Sequence, residues 1–315
     1  MKKLFLGLII ATLTTPLACF AQNYDEIYNS AWEIINKYYY SPTFDTKIWN
    51  EWKDRYEGEL HTKEDLIQAT NTMLESLNDP YTYFTTPVET DLTQDRKNKK
   101  IGSQKDLSLI SPIENIEIPK NIRYIRIKSF SNRNTSMNFY KITKKSKKHD
   151  GYIIDVRWNG GGMVKMAAEI ANMFLKDTII VSTKDRFGDL ISYPAGSITL
   201  PDKPIVILVN EHSASASEIF AAAFQENDRA TIIGKTTFGK GIVQQFDKLP
   251  QGYGINYTLF QYLTPKGNFI HKKGVVPDIE IDITKEDFDN RIDPQLRKAI
   301  EVLTEEINKK NNKGE

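Results

Sequence analysis

After residue 22, apolar positions recur with the period of a helix. Tyr24, Ile27, Tyr28, Ala31, Ile34, Ile35 and Tyr38 fall at i, i+3, i+4 and i+7 spacing, the stripe that lets one helix face bury itself. A second stripe, Leu66, Ala69, Met73 and Leu77, follows Thr62-Lys63-Glu64-Asp65, a stretch suited to a capping box. It stops at LNDPYT (77–82), a turn signal. Residues 23–86 therefore read as helical. Residues 88–121 are polar and rich in lysine, a connector with room for one or two short strands.

From residue 122 strands alternate with helices. NIRYIRI (121–127) reads as a strand and 135–147 as a helix. GYIIDVR (151–157) and PIVILVN (204–210) are continuous apolar runs, the mark of strands covered on both faces of a parallel sheet. The first leads through Asn159-Gly160-Gly161-Gly162 into a helix that places Ala167, Ile170, Ala171 and Phe174 inward, with a strand near 178–182. The second leads through EHSASASE (211–218) into a helix with Ile219, Phe220, Ala223 and Phe224 on its apolar face. A strand at 230–234 follows, and strands at 241–247 and 252–262 are expected to continue the same sheet. Asp293-Pro294 opens a C-terminal helix carrying Leu296, Ile300, Leu303 and Ile307, with a disordered tail expected beyond 308. The alternation argues for an α/β (α+β) core preceded by an N-terminal helical region. No internal repeat is present.

Composition adds size and compartment. The 315 residues are 40% hydrophobic and 26% charged, enough for one large domain or two small ones. The opening has the parts of an export signal: Lys2 and Lys3, an apolar run over 4–13, and small residues around a cut after Ala21. That run falls short of the roughly 20 apolar residues that span a bilayer. Cys19 is the only cysteine. A lipoprotein cut would leave it as a lipidated first residue, but in Pro16-Leu17-Ala18-Cys19 proline stands where leucine is usual. Cleavage after Ala21 leaves no cysteine, which removes disulfides and thiol chemistry from the argument. It also removes two lysines and no acids, leaving 40 basic against 41 acidic groups and a net charge of −1. No footprint for nucleic acid follows from that balance, and KKSKKH (144–149) reads as the solvated end of a helix.

Two turns carry candidate chemistry, because each runs from a buried strand into a helix start. Unpaired N–H groups and the positive end of the helix dipole meet there, where a developing anion is best held. Three successive glycines at 160–162 allow close backbone approach, and neither a GxGxxG nor a GxxxxGK[ST] pattern supports a nucleotide phosphate there. In the second turn, Ser213, Ser215 and Ser217 alternate with alanine. Ser215-Ala216-Ser217-Glu218 fits the S-x-x-E capping box, so on these residues alone Ser215 reads as a helix cap in preference to a nucleophile, which would also need a base to take its proton. GKTTFGKGIVQQ (234–245) places Lys240 between glycines, 25 residues after Ser215. A strand and a helix fill that interval, so the chain can return beside the serines. A lysine acts as base only when neutral. Lowering its pKa from about 10.4 toward 7–8 requires roughly 4 kcal/mol from desolvation or a nearby cation.

DVRWNGGG (155–162), NEHSASASEIFAAAFQ (210–225), GKTTFGKGIVQ (234–244), YLTPKGNFI (262–270) and KGVVPDIEI (273–281), in this order, resemble the tail-specific or C-terminal processing serine peptidases. LNDPYTYFTTP (77–87) resembles the same family's turn before its core. The resemblance implies a ClpP/crotonase-like mixed β-sheet core and a Ser–Lys dyad, with Ser215 as nucleophile and Lys240 as general base. Gln244 corresponds to a residue that orients the lysine in part of the family. The N–H groups of Ala216 and of Gly161 or Gly162 would form the oxyanion hole. Glu226, 11 residues after Ser215, stands where some members have aspartate. No cofactor and no metal are implied. The implied partners are protein or peptide substrates, with an accessory or adaptor protein left open.

One departure bears on specificity. Family members commonly carry a PDZ domain between the N-terminal helices and the core, but only residues 88–121 fill that interval here. Five strands of about five residues would consume most of them, so no PDZ domain is expected. The expected organisation is a signal peptide (1–21), N-terminal helical region (22–87), short connector (88–121), peptidase core (122–283) and C-terminal helix with tail (284–315). The expected product is an exported, periplasmic or extracellular endopeptidase. Three readings compete: a ligand- or peptide-binding protein of the same fold without catalysis, a crotonase-type acyl-CoA enzyme, and a serine–histidine hydrolase using His271 rather than His212.

Overall fold

The computed structural model describes residues 23–92, 107–108, 113–114, 117–145, 148–196 and 200–312. The expected signal peptide, Cys19 and most of the expected connector lie outside them. Among the described residues, no helix is long and apolar enough to cross a membrane.

Eight helices are named here: α1 (Tyr24–Tyr38), α2 (Thr46–Asn50), α3 (Lys63–Glu75), α4 (Thr135–Lys144), α5 (Val164–Asn172), α6 (Ala216–Gln225), α7 (Lys285–Asp289) and α8 (Pro294–Asn312). The strands are β1 (Tyr83–Thr85), β2 (Leu107–Ser108), β3 (Ile122–Ile127), β4 (Gly151–Asp155), β5 (Ile179–Lys184), β6 (Leu190–Pro194), β7 (Ile205–Val209), β8 (Thr231–Gly234), β9 (Ile242–Lys248), β10 (Gly254–Leu263) and β11 (Ile279–Glu280). They form a six-stranded sheet of order β11-β8-β7-β4-β3-β2 and a second sheet of order β1-β10-β5-β6, with β9 on the other side of β10.

The continuous apolar runs have the expected cause. In β7, Ile205, Ile207 and Val209 join one core with α5 and α6, while Val206 and Leu208 join another with Leu296, Ala299, Leu303 and Ile307 of α8. Both faces of the parallel strands are therefore buried. The N-terminal helices form a third core with Trp49, Phe84, Tyr253, Ile255 and Tyr257, resting on the antiparallel sheet.

Three sequence expectations change. Residues 83–85 are not helical but pair as β1 with 254–256 of β10. β9 and β10 do not continue the parallel sheet. They form an antiparallel hairpin, whose tight connection cannot feed the crossover that parallel pairing demands. The C-terminal helix continues through Asn312, beyond the expected limit, because Ile307 is still buried and Glu305–Lys309 supports the next turn.

Arg157, fully buried just past β4, ties α8 to the sheet. It pairs with Asp155 at 2.7 Å and Asp293 at 2.9 Å and donates to Gln295 Oε1 at 2.9 Å, while Tyr124 hydroxyl donates to Asp155 at 2.7 Å. A buried ion network left half-paired costs about 3–5 kcal/mol. Asp293→Ala is expected to lower urea-unfolding stability by that order, and a loss under about 1 kcal/mol would show that α8 docks without the charge.

Candidate active site

β4 and β7 are parallel neighbours, with Asp155 opposite Leu208, so the glycine turn and the serine turn emerge side by side at the carboxyl edge of the sheet. Two of the three serines fasten one turn to the other. Ser213 hydroxyl donates to Val156 carbonyl at 2.9 Å and Ser217 hydroxyl to Asn159 carbonyl at 2.8 Å, and both serines are buried. Ser215 is the one that reaches solvent. It opens α6 at φ 57°, ψ −116°, a conformation that costs a non-glycine residue about 1–3 kcal/mol and that the surrounding bonds must hold.

The glycine turn is fixed by Asn159, whose Oδ1 accepts the Gly161 N–H at 2.9 Å and whose Nδ2 donates to Ile127 carbonyl at 3.0 Å. At Gly161 (φ +98°) a Cβ would stand 2.9 Å from Ser215 Cβ, so the absence of a side chain is what lets the turns touch. At Gly162 (φ +140°) a Cβ would meet Phe130 backbone at 2.4 Å. Phe130 bonds the Gly161 carbonyl and the Met163 N–H, leaving the Gly162 N–H outside that bridge. Among the described residues it has no hydrogen-bond acceptor, whereas the Gly161 N–H is already engaged.

Lys240 is brought to the serine turn by Glu218. This carboxylate is fully buried. Its Oε1 accepts Thr237 hydroxyl and Gly239 N–H, each at 2.6 Å. Its Oε2 accepts Ser215 N–H at 2.7 Å and Lys240 N–H at 2.8 Å. Two hydrogen bonds to one atom hold the Ser215 and Lys240 nitrogens no more than 2.7 plus 2.8, or 5.5 Å, apart. Phe238 N–H to Ser213 carbonyl, 3.0 Å, closes the same contact. The capping box was legible in the sequence, but its glutamate spans to a second loop that the S-x-x-E spacing does not reveal. The available signal was a lone acid in the apolar run Ala214–Phe224, which only a strong set of donors can keep buried.

Lys240 Nζ donates to Gln244 Oε1 at 2.7 Å and lies 5.2 Å from the centre of the Tyr81 ring. Burial pushes its pKa below the ordinary lysine value. Gln244 in turn donates to Tyr81 carbonyl at 3.0 Å. Of the other candidates, His212 and Glu226 stand apart from this chain of contacts and His271 meets it at the Tyr81 ring. His212 is exposed beside Glu211. His271 packs edge-on against Tyr81 at 5.9 Å, with burial lowering its pKa and Nδ1 without a hydrogen-bond partner among the described residues. Glu226, at the end of α6, accepts from Lys266 N–H and Asn268 Nδ2 and so holds the 264–268 turn.

The arrangement joins a strained, accessible hydroxyl, a partly desolvated amine and unengaged N–H groups at a helix start. It suits nucleophilic attack on a carbonyl with stabilisation of the resulting oxyanion.

Residues 121–281, just over half the chain, match the family model described as Peptidase family S41. A carboxyl-terminal-processing protease of Synechocystis is 38% identical over 194 residues, covering 59% of this chain and 44% of that protein. Carboxy-terminal processing protease CtpB of Bacillus subtilis is 36% identical over 201 residues, covering 59% and 41%. The chain spans about half the length of the curated relatives it matches. Among solved structures, a photosystem II D1 C-terminal processing protease superposes with a TM-score of 0.68 at 21% identity, over 82% of this chain and 93% of that one. A lipoprotein from Streptococcus agalactiae gives 0.67 at 14% identity, over 90% and 96%. At these identities the likeness is one of fold.

Proposed function

The chain belongs to peptidase family S41, and from that premise we propose that it is an exported serine endopeptidase working through a Ser215–Lys240 dyad. The observation that carries the reading is the Glu218 clamp, which binds the backbone of both residues through one oxygen. Neutral Lys240 takes the Ser215 proton as Oγ attacks the scissile carbonyl carbon. The oxyanion is held by the N–H groups of Ala216 and Gly162, since that of Gly161 is spent on Asn159. The Lys240 ammonium then returns its proton to the leaving amine. Water, deprotonated by the same lysine, hydrolyses the acyl-serine. Gln244 fixes the direction of the amine. Retention of the pair argues against a purely ligand-binding role.

The test is labelling of the mature protein with a fluorophosphonate and mapping of the adduct. Modification at Ser215 is expected, and a label on another residue, or none, would sink the reading.

The lowered pKa of Lys240 sets the pH profile. The base works when deprotonated, so kcat/KM is expected to rise with pH and to level off below the ordinary lysine value of about 10.4. Replacing His212 and His271 together should preserve that curve. Loss of activity in this variant with an unchanged circular-dichroism spectrum would transfer the base to histidine.

With only residues 88–121 between the N-terminal helices and the core, substrate is proposed to be held along the core as an extended strand, with unfolded segments as the preferred targets. One peptide made with a free and with an amidated C-terminus is expected to give similar kcat/KM values. A charge-assisted carboxylate contact is worth about 1.5–3 kcal/mol, or roughly tenfold and more in rate. A loss of that size on amidation would show that the terminus is read.

A further inference from the structure

The support for Lys240 extends beyond the segment that matches the family model. Tyr81 carbonyl accepts two side-chain amides, Gln244 Nε2 at 3.0 Å and Asn256 Nδ2 at 2.8 Å. A carbonyl can only accept. The Gln244 amide must therefore turn its NH₂ toward Tyr81 and its oxygen toward Lys240. In the flipped orientation two donors would face each other and the amine would lose its guide.

The Tyr81 carbonyl is itself aimed by Asp79. One carboxylate oxygen accepts Tyr81 N–H at 2.9 Å, and the other accepts the hydroxyls of Thr82 at 2.8 Å and Thr258 at 2.7 Å. Thr82 N–H closes the turn on Asp79 carbonyl at 3.1 Å, and Thr258 N–H donates to Thr82 hydroxyl at 3.3 Å. Thr258 and Asn256 both lie on β10, so the turn is fastened to the strand that pairs with the one bearing Gln244.

We infer that Asp79 and Tyr81 are positioning residues for the base: the 79–82 turn sets the orientation of the Gln244 amide and, through it, the direction of Lys240 Nζ. The inference rests on the reading of Lys240 as base. It makes the N-terminal region a support of the catalytic apparatus, acting through Gln244.

The experiment is a double-mutant cycle on the mature protein. Asp79→Ala is expected to lower kcat about tenfold or more with KM within about twofold, because Asp79 acts on the amine through the Tyr81 carbonyl and the Gln244 amide. In a Gln244→Ala background the same change should add little, since its effect passes through that amide. Equal losses in both backgrounds, or an unchanged kcat, would overturn the proposal. Asp79→Asn keeps an acceptor for Tyr81 N–H and serves if the alanine variant does not fold; a smaller loss with the same non-additivity is expected. An independent readout is the Gln244 side-chain amide signal in nitrogen-15 NMR, assigned by its disappearance in Gln244→Ala. Slow proton exchange is expected in the wild type and fast exchange in Asp79→Ala, and equal exchange in both would count against the turn. A wild-type chain that cleaves no peptide sinks the peptidase reading, while this signal still decides whether the turn holds the amide.

Discussion

Ser215→Ala and Lys240→Ala are each expected to cut kcat/KM for an unstructured peptide by at least about 10³-fold, with the double variant little worse than either. The reason is the division of labour in a dyad. A serine hydroxyl is a poor nucleophile until its proton is taken, and an amine with no hydroxyl to serve accomplishes nothing. Each change removes the same step, so their effects do not add. Fold should survive both. The contacts that fasten the serine turn come from Ser213, Ser217 and the Ser215 backbone N–H, all of which remain. Lys240 contributes its backbone N–H to Glu218, which alanine also supplies. Steady-state kinetics beside circular dichroism decide the matter, and a Lys240→Ala protein retaining more than about a tenth of wild-type activity would end the assignment of the base.

Glu218→Gln is expected to damage stability and activity together. The carboxylate accepts four hydrogen bonds and donates none. A carboxamide offers one accepting oxygen. With its NH₂ on the Oε1 side it opposes the fixed Gly239 N–H while the Thr237 hydroxyl can rotate to accept, and on the other side it opposes two fixed backbone N–H groups. A buried donor left unsatisfied costs about 1–3 kcal/mol, and a loss of at least that order is expected. Because the same contacts hold Ser215 beside Lys240, any folded fraction should also be slow. Urea unfolding of Glu218→Gln against Ser215→Ala separates the two roles. A Glu218→Gln protein of wild-type stability and rate would show that the neighbouring loop contacts, such as Phe238 to Ser213, suffice.

The alternation of β-strands and helices was readable because each element had a local cause. The period of α1, the Thr62 capping box, the double-sided runs of β4 and β7 and the Asp293 cap of α8 all arise within a few residues of sequence. What escaped was set by distant partners. Residues 83–85 become a strand only because β10 offers an edge. The sheet to which β9 and β10 belong is decided by their hairpin and by the N-terminal helices packed on it. The same divide runs through the site. Ser215, Lys240 and the glycine turn stood out as types of residue at telling places, and the resemblance ranked them. The distinction between Gly161 and Gly162 depends on one Asn159 side chain. The second duty of Glu218 and the service of Tyr81 to Gln244 span 22 and 163 residues, and no spacing rule reaches that far.

The order in which the chain is made gives the Arg157 knot another meaning. Arg157 immediately precedes the Trp158–Gly162 segment, yet its second carboxylate, Asp293, comes 136 residues later. A growing chain holds Ser215, Lys240 and the strands of both sheets before it holds the second partner that neutralises this arginine. With one carboxylate missing, burying the guanidinium is unfavourable, and the strand end that launches the glycine turn stays hydrated and loose. Asp293, which opens α8, is thus the late-made partner that completes the packing of the strand end before the glycine turn.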